Sequence, residues 1–321
     1  MKFYRYIILT TCFLLIVSFL VSCEKEIKMK TIIPKNAIVV EGHIENDLQP
    51  YVLLTKNSPF FGDINVNDLG SYFIHNAIIT VSTDDDSVRL VEYNAAFIKT
   101  LPDTQVIALA ARFGIKIGTT QDFPDISIYT INPSDSDFIG KIGKRYNLRI
   151  EVEGKIITAT TTIPTPVFFD SLWITPHPNY MYADSFFQLQ GKLLDPPMPG
   201  NYYRYFTQSN NGPWLISDNS VFDDAFFNGK DFKIFIPKGH PMGFPGEQNF
   251  NTSGYWNLKD SVCSVKLCQI DKEHYDFWRT LEANRQSQGN PFSSVVYVKS
   301  NVKGAIGVWG GYGSKSGSYV R

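Results

Sequence analysis

Apolar residues follow two patterns along this chain. One long run, Ile7 to Val21, is interrupted only by Thr10, Thr11, Cys12 and Ser18. From Asn36 onward, short β-branched and aromatic stretches alternate with turn residues. Ala37–Ile44 and Tyr51–Thr55 read as strands split by the turn-rich segment Asn46–Pro50. Ala77–Ser82 and Ser87–Glu92 flank Asp84-Asp85-Asp86, whose mutual repulsion favours a solvated turn. Tyr146–Val152 alternates with period two and pairs through Glu153-Gly154 with Lys155–Ile163, the clearest hairpin in the sequence. Two prolines follow in Ile163-Pro164-Thr165-Pro166, fixing the backbone and removing donors. Beyond them Ser171–Ile174, Ser185–Gln190, Tyr202–Thr207, Phe232–Ile236 and Ser261–Ile270 again read as strands. One helix is predicted over 271–287. Asp271 is its N-cap, Tyr275, Trp278 and Leu281 recur at spacing three, and Gly289 ends it. Gly304–Gly313, apolar and glycine-rich, reads as a strand with close backbone contacts.

The expected fold is therefore mainly β. It has an N-terminal immunoglobulin-like β-sandwich over 36–164, followed by a second β-rich domain over 165–321 that carries the one helix.

The first apolar run has a different origin. Lys2 and Arg5 precede it, and it is short of the roughly 20 residues of a transmembrane helix. It closes on Leu20-Val21-Ser22-Cys23, which resembles the lipobox of bacterial lipoproteins. That resemblance makes residues 1–22 a lipoprotein signal peptide and Cys23 the lipidated first residue of the mature chain, with the acyl group carried as a thioether. Residues 23–35 become a polar lipidated tether. Glu24-Lys25-Glu26 resembles the surface-export signal of Bacteroidetes lipoproteins, which implies an outer-membrane, lipid-anchored protein facing the cell exterior.

Composition narrows the function. Loss of Lys2 and Arg5 with the signal peptide takes the formal charge from −1 to −3, which offers no footprint for nucleic acid. Apolar residues at 43% and charged residues at 19% suit packed cores rather than disorder. After removal of Cys12 and lipidation of Cys23, only Cys263 and Cys268 remain. Five residues apart on one strand, their side chains project from opposite faces, which disfavours a disulfide.

Catalytic chemistry is not legible. The five histidines, His43, His75, His177, His240 and His274, form no zinc motif. No nucleophile elbow and no phosphate-binding loop occur. No catalytic residue, metal site or cofactor beyond the covalent lipid is expected. Asp223, Asp224, Asn228 and Asp231 gather around Gly229 at a spacing that is not that of an EF-hand, and read as a polar turn. The aromatics from Tyr202 to Phe227 suit a β core, but Tyr202, Tyr205 and above all Trp214, placed at a loop tip by Asn210-Asn211-Gly212-Pro213, are candidates for contact with a ligand or partner. Ser87, Ser171 and Ser261, each in an Asp-Ser-apolar triplet, resemble O-glycosylation sites.

Several motifs occur together in a familiar order. Val39-Val40-Glu41-Gly42, Thr158–Pro164, Asn201-Tyr202-Tyr203-Arg204, the Gln269–Trp278 helix start, Gly289-Asn290-Pro291-Phe292, Asn301 and Gly304–Tyr312 follow the lipobox. In that order they resemble the Bacteroidetes lipoprotein family known as domain of unknown function 4249 (DUF4249), over essentially the whole mature chain. The resemblance implies a surface-exposed accessory of a TonB-dependent transporter, capturing or capping a glycan, peptide or small-molecule ligand. It transfers no catalytic residue. A structural or adhesive envelope module is the alternative, and a polymer-degrading enzyme a further one.

Overall fold

Period-two alternation builds the first core. A computed structural model describes residues 37–57, 70–112, 117–131, 137–241, 251–287 and 296–321. The signal peptide, Cys23, the tether, Gly289 and residues 242–250 of the loop from Pro237 to Gly254 lie outside the described residues. β1 (Ile38–Glu45) turns into β2 (Tyr51–Lys56), with Ile38 opposite Lys56 and His43 opposite Tyr51. β3 (Ile78–Ser82) and β4 (Ser87–Asn94) flank the acidic turn, where the Asp85 and Asp86 N–H groups donate to Thr83 Oγ1. Two helices that the apolar pattern did not announce follow, α1 (Ala95–Ile98) and α2 (Asp103–Arg112). Asn94 caps α1 by accepting the Phe97 N–H at 2.9 Å, and Ile98, Val106 and Ala110 close a small core over Phe123 and Ile128. β5 (Ser127–Thr130) returns the chain to the sheet between β2 and β4. β6 (Arg145–Val152) and β7 (Lys155–Thr162) form the expected hairpin. Its turn holds Glu153 and Gly154 at φ of 50° and 72°, the left-handed pair that a two-residue turn requires. Val40, Ile44, Val52, Leu54, Ile79, Val81, Leu90, Leu148, Ile150 and Ile157 fill the first core.

Past Pro164–Pro166 the chain builds a second core. β8 (Ser171–Pro176) pairs with β9 (Phe186–Leu194), while β10 (Tyr202–Ser209) and β11 (Val221–Asp223) join the main sheet. β12 (Asp231–Phe235) and β13 (Trp256–Asn257) complete the smaller sheet around β9. β14 (Val262–Ile270) leads into α3 (Lys272–Ser287), the predicted helix, and Asp271 Oδ1 accepts the His274 N–H at 2.8 Å as its N-cap should. β15 (Ile306–Val320) then crosses back. Phe187, Leu189, Leu193, Tyr203, Tyr205, Trp256, Val265 and Leu267 make the second core between the two sheets. The architecture is mainly β and sandwich-like, as expected.

β15 ties the two cores together. Its first half runs parallel to β1, with Val39 opposite Ile306 and Glu45 opposite Tyr312. Its second half runs antiparallel to β14, from Gln269 opposite Gly313 to Val262 opposite Val320. One face of this strand puts Trp309 into the first core and packs Tyr319 against the second. The expected boundary near Ile163-Pro164 falls where the chain passes from one core to the other, and β15 bridges that point. The glycines of β15 make the passage possible. A Cβ on Gly311 would lie 2.4 Å from the Thr162 carbonyl oxygen, and one on Gly313 2.0 Å from that of Pro164. The close backbone contacts expected of this segment are thus present.

Cys263 faces the second core and Cys268 the opposite side, both free and fully buried. Burial pushes the Cys263 thiol up to about 12 and raises Cys268 as well, so neither is a reactive thiolate. Among the described residues no helix is long and apolar enough to cross a membrane.

Gly311→Ala should lower the free energy of urea unfolding by about 2 kcal/mol or more, because Thr162 backbone cannot yield cheaply. Gly118→Ala, whose added carbon would meet only Asp122 at 3.4 Å, should change it by less than about 0.5 kcal/mol.

Candidate functional site

The other face of the main sheet is polar, aromatic and covered by α3. Alternation turns Glu41, His43 and Glu45 of β1 to this side, with Arg204 and Phe206 of β10, Lys266 of β14 and Tyr312 of β15. From α3, His274, Trp278 and Glu282 descend onto them at spacing four, one stripe of the helix.

Arg204 is the centre of this layer and is 3% exposed. Its Nε donates to Ser220 Oγ at 3.2 Å and its Nη1 to the Tyr312 hydroxyl at 2.5 Å. The guanidinium carbon lies 3.4 Å from the centre of the Trp278 ring and 4.9 Å from that of Phe206, a cation held between π faces. Charge compensation comes through Ser220, whose N–H and hydroxyl both donate to the buried Glu282 carboxylate. Burial holds the Glu282 carboxyl above the usual carboxylate range, against the opposing pull of Ser220, Arg204 and Arg285.

Two buried histidines complete the layer. Their ring centres are 5.5 Å apart, and both rings pack on Tyr312, at 5.1 and 4.7 Å. His43 Nε2 stands 3.5 Å from Glu41 Oε1. His43 Nδ1, both ring nitrogens of His274 and Trp278 Nε1 lack hydrogen-bond partners. Burial drives both histidines below their ordinary value, and the Arg204 charge adds to it, most severely at His274. Room for His274 exists because residue 310 is glycine: a Cβ there would fall 2.1 Å from the ring.

At the C-terminal half of α3 the layer opens into a recess of about 430 Å³ lined by Ser217, Asp218, His240, Glu282, Arg285 and Gln286, among others. His240 Nε2 and Asp218 Oδ1 meet at its rim at 2.9 Å. Gln286 Nε2 donates to the Asp218 carbonyl and to Asn219 Oδ1, tying the helix to the 216–219 segment. Glu282 belongs to both places, so the recess touches the buried Arg204 network.

A family profile described as domain of unknown function (DUF4249) matches residues 24–318, all but the two ends of the chain. The chain belongs to the DUF4249 family. No curated protein matches it.

In this DUF4249 chain the contact candidates separate. Tyr202 lies on the α3 face, half-buried, with its ring 4.9 Å from that of Tyr275. Tyr205 is a correction: it faces the second core, 4% exposed, its hydroxyl bonded to Ser217 and the Asn219 carbonyl, because β10 alternates and an odd separation of three puts the two tyrosines on opposite faces. Trp214 is half-buried rather than exposed at a tip. The Thr207–Leu215 bridge folds its segment back along β10, and Lys266 Nζ sits 5.7 Å from its ring. Ser87, Ser171 and Ser261 are all exposed, each at or next to the start of a strand. Asp224 spends its carboxylate on the Gly200 and Asn201 N–H groups, which fits the polar-turn reading of that segment. Sequence reasoning passed over Arg204, His43, His274 and Glu282. The available signal was Glu41, His43 and Glu45 at period two in an otherwise apolar strand.

Two outcomes follow from this charge balance. A histidine that stays neutral when folded but ionises near 6.5 when unfolded contributes stability that is present above that pH and lost as pH falls below it. The free energy of urea unfolding should therefore drop between pH 7 and about pH 5.5, by up to about 1.4 kcal/mol per pH unit for each of His43 and His274, and His274→Leu should flatten that slope. Glu282→Ala should cost about 3 kcal/mol by stranding Ser220 and the Arg204 charge, whereas Glu282→Gln, which retains an acceptor, should cost less.

Proposed function

We propose that this protein is a lipoprotein anchored through Cys23 in the outer membrane, facing the cell exterior, and that it holds a polar ligand for a TonB-dependent transporter. The observation that carries the binding part is the recess beside α3. Charged and amide side chains of opposite sign line it, on a rigid helix and a bridged segment, as a site selecting a polar small molecule, glycan or peptide requires. The anchoring part rests on the signal-like N-terminus and the lipobox, and the family profile begins one residue after Cys23. A binding role is favoured over a catalytic one because the Ser217 hydroxyl, which lines the recess, is engaged by Tyr205 and the Asn219 carbonyl.

The anchoring reading predicts that Cys23→Ala yields unprocessed or soluble protein, and that mass spectrometry of the native N-terminus finds an acylated Cys23. The accessory reading predicts copurification with a TonB-dependent transporter from mildly solubilised outer membrane. Asp218→Ala combined with Arg285→Ala should leave that copurification intact but abolish ligand retention. Recovery of the protein without any transporter under all growth conditions favours the structural or adhesive alternative.

A further inference from the structure

Two loops at the edge of the main sheet are locked together and present bare apolar side chains to water. Residues 195–201 lead into β10, and residues 224–230 follow β11, the edge strand beside it. Asp224, 4% exposed, accepts the N–H groups of Gly200 at 2.9 Å and Asn201 at 3.0 Å, and the Asn201 side-chain amide at 3.0 Å. Asp195, 2% exposed, accepts the Tyr203 hydroxyl at 2.5 Å and the Gly229 N–H at 3.0 Å. Asn228 Nδ2 donates to the Pro197 carbonyl, and Phe227 stacks on Phe232 at 4.1 Å to root the second loop. On the crest so formed, Phe226 is 95% exposed, Met198 77% and Leu194 55%.

A phenylalanine held fully in water forgoes the stabilisation that burial gives its ring, so a rigid turn that keeps one there is built for something that covers it. The chemistry of the crest selects the occupant. The carboxylates of the two loops are spent inward, and Pro197, Met198, Pro199, Ala225 and Phe226 carry no charge and no side-chain hydrogen-bonding group, while Lys230 at the end of the second loop presents an exposed cation. An apolar tip beside a lysine suits the boundary between headgroups and acyl chains better than it suits reading a sugar or a peptide backbone. Position permits it. β1 and β10 run parallel, related through β15 and β14, but staggered by seven residues, so that Tyr202 lies level with Tyr312 and Glu45 rather than with Ile38. The two strand starts are about 14 Å apart across the sheet and about 23 Å apart along it. The 14 residue steps from Cys23 to Ala37 span at most about 50 Å, enough to bring the crest and Cys23 to one bilayer.

We propose that the Phe226–Met198 crest is a membrane-contact site that inserts shallowly into the bilayer carrying the acylated Cys23. This rests on the anchoring reading above. Two side chains cannot hold a protein at a membrane alone, but a tether raises their local concentration enough for weak insertion to orient the folded unit.

The test uses full-length acylated protein reconstituted in vesicles of phosphatidylethanolamine and phosphatidylglycerol. A bimane fluorophore is placed on Ala225→Cys, or on Ser87→Cys as the control. Cys263 and Cys268, both 0% exposed, escape labelling. Doxyl-labelled phospholipid should quench the probe at 225 and not at 87. The effect should vanish in Phe226→Asp/Met198→Asp, which should keep its unfolding midpoint and still float with the vesicles. Protein that floats but shows no quenching at 225, or equal quenching at both positions, overturns the proposal and leaves the anchor standing. Protection of the probe only when another outer-membrane protein is included also overturns it, in favour of a protein partner. Failure to float sinks the anchoring reading, and the insertion proposal with it.

Discussion

A single strand, β15, is asked to belong to two cores at once. Its first seven residues close the N-terminal sheet against β1, and its last eight extend the C-terminal one against β14. The constraint this imposes is steric. Where the strand passes from one core to the other, the chain crossing from β7 must lie against its backbone, and only glycine at 311 and 313 leaves room. That contact lies where β15 changes partner from β1 to β14.

Because β15 carries both cores on one face, its other face is left for something different. Val308, Gly310 and Tyr312 look toward α3, and β1, β10 and β14 add charged and aromatic side chains on the same side. Burial there is supported by neutralisation rather than by apolar packing alone. Arg204 rests on Trp278 and reaches Glu282 through Ser220, while the two histidines stay uncharged beside it. A buried network of this kind contributes little net stability but is costly to break, so it fixes where α3 sits and therefore where the recess opens.

Much of the fold was legible because the signal was local. Short apolar, β-branched runs marked β1, β2, β3, β4 and β7, period-two alternation marked β6, Glu153-Gly154 marked the hairpin turn, and Asp271 with its spaced aromatics marked α3. The glycine-rich tail was readable as a strand in close contact. What could not be read was pairing between distant segments: parallel β1 and β15, and the insertion of β5 between β2 and β4, are set by tertiary packing. The 95–112 helices are short and mostly exposed, with too narrow an apolar stripe to announce themselves. The site was hidden for the same reason. Arg204 lies between two core tyrosines in sequence, and its partners Ser220, Glu282 and Tyr312 come from three other stretches. Tyr205 looked like Tyr202 because composition does not record which face a strand residue takes.

Through its two pairings, β15 makes one cooperative unit of the two cores. Native-state hydrogen exchange across a urea series would test it, following the β6–β7 hairpin and β9 in the same sample. Shared control by β15 predicts that the slowest amides of both segments open with one free energy and one urea dependence. Persistent protection of the hairpin at urea concentrations where β9 exchanges freely would contradict it.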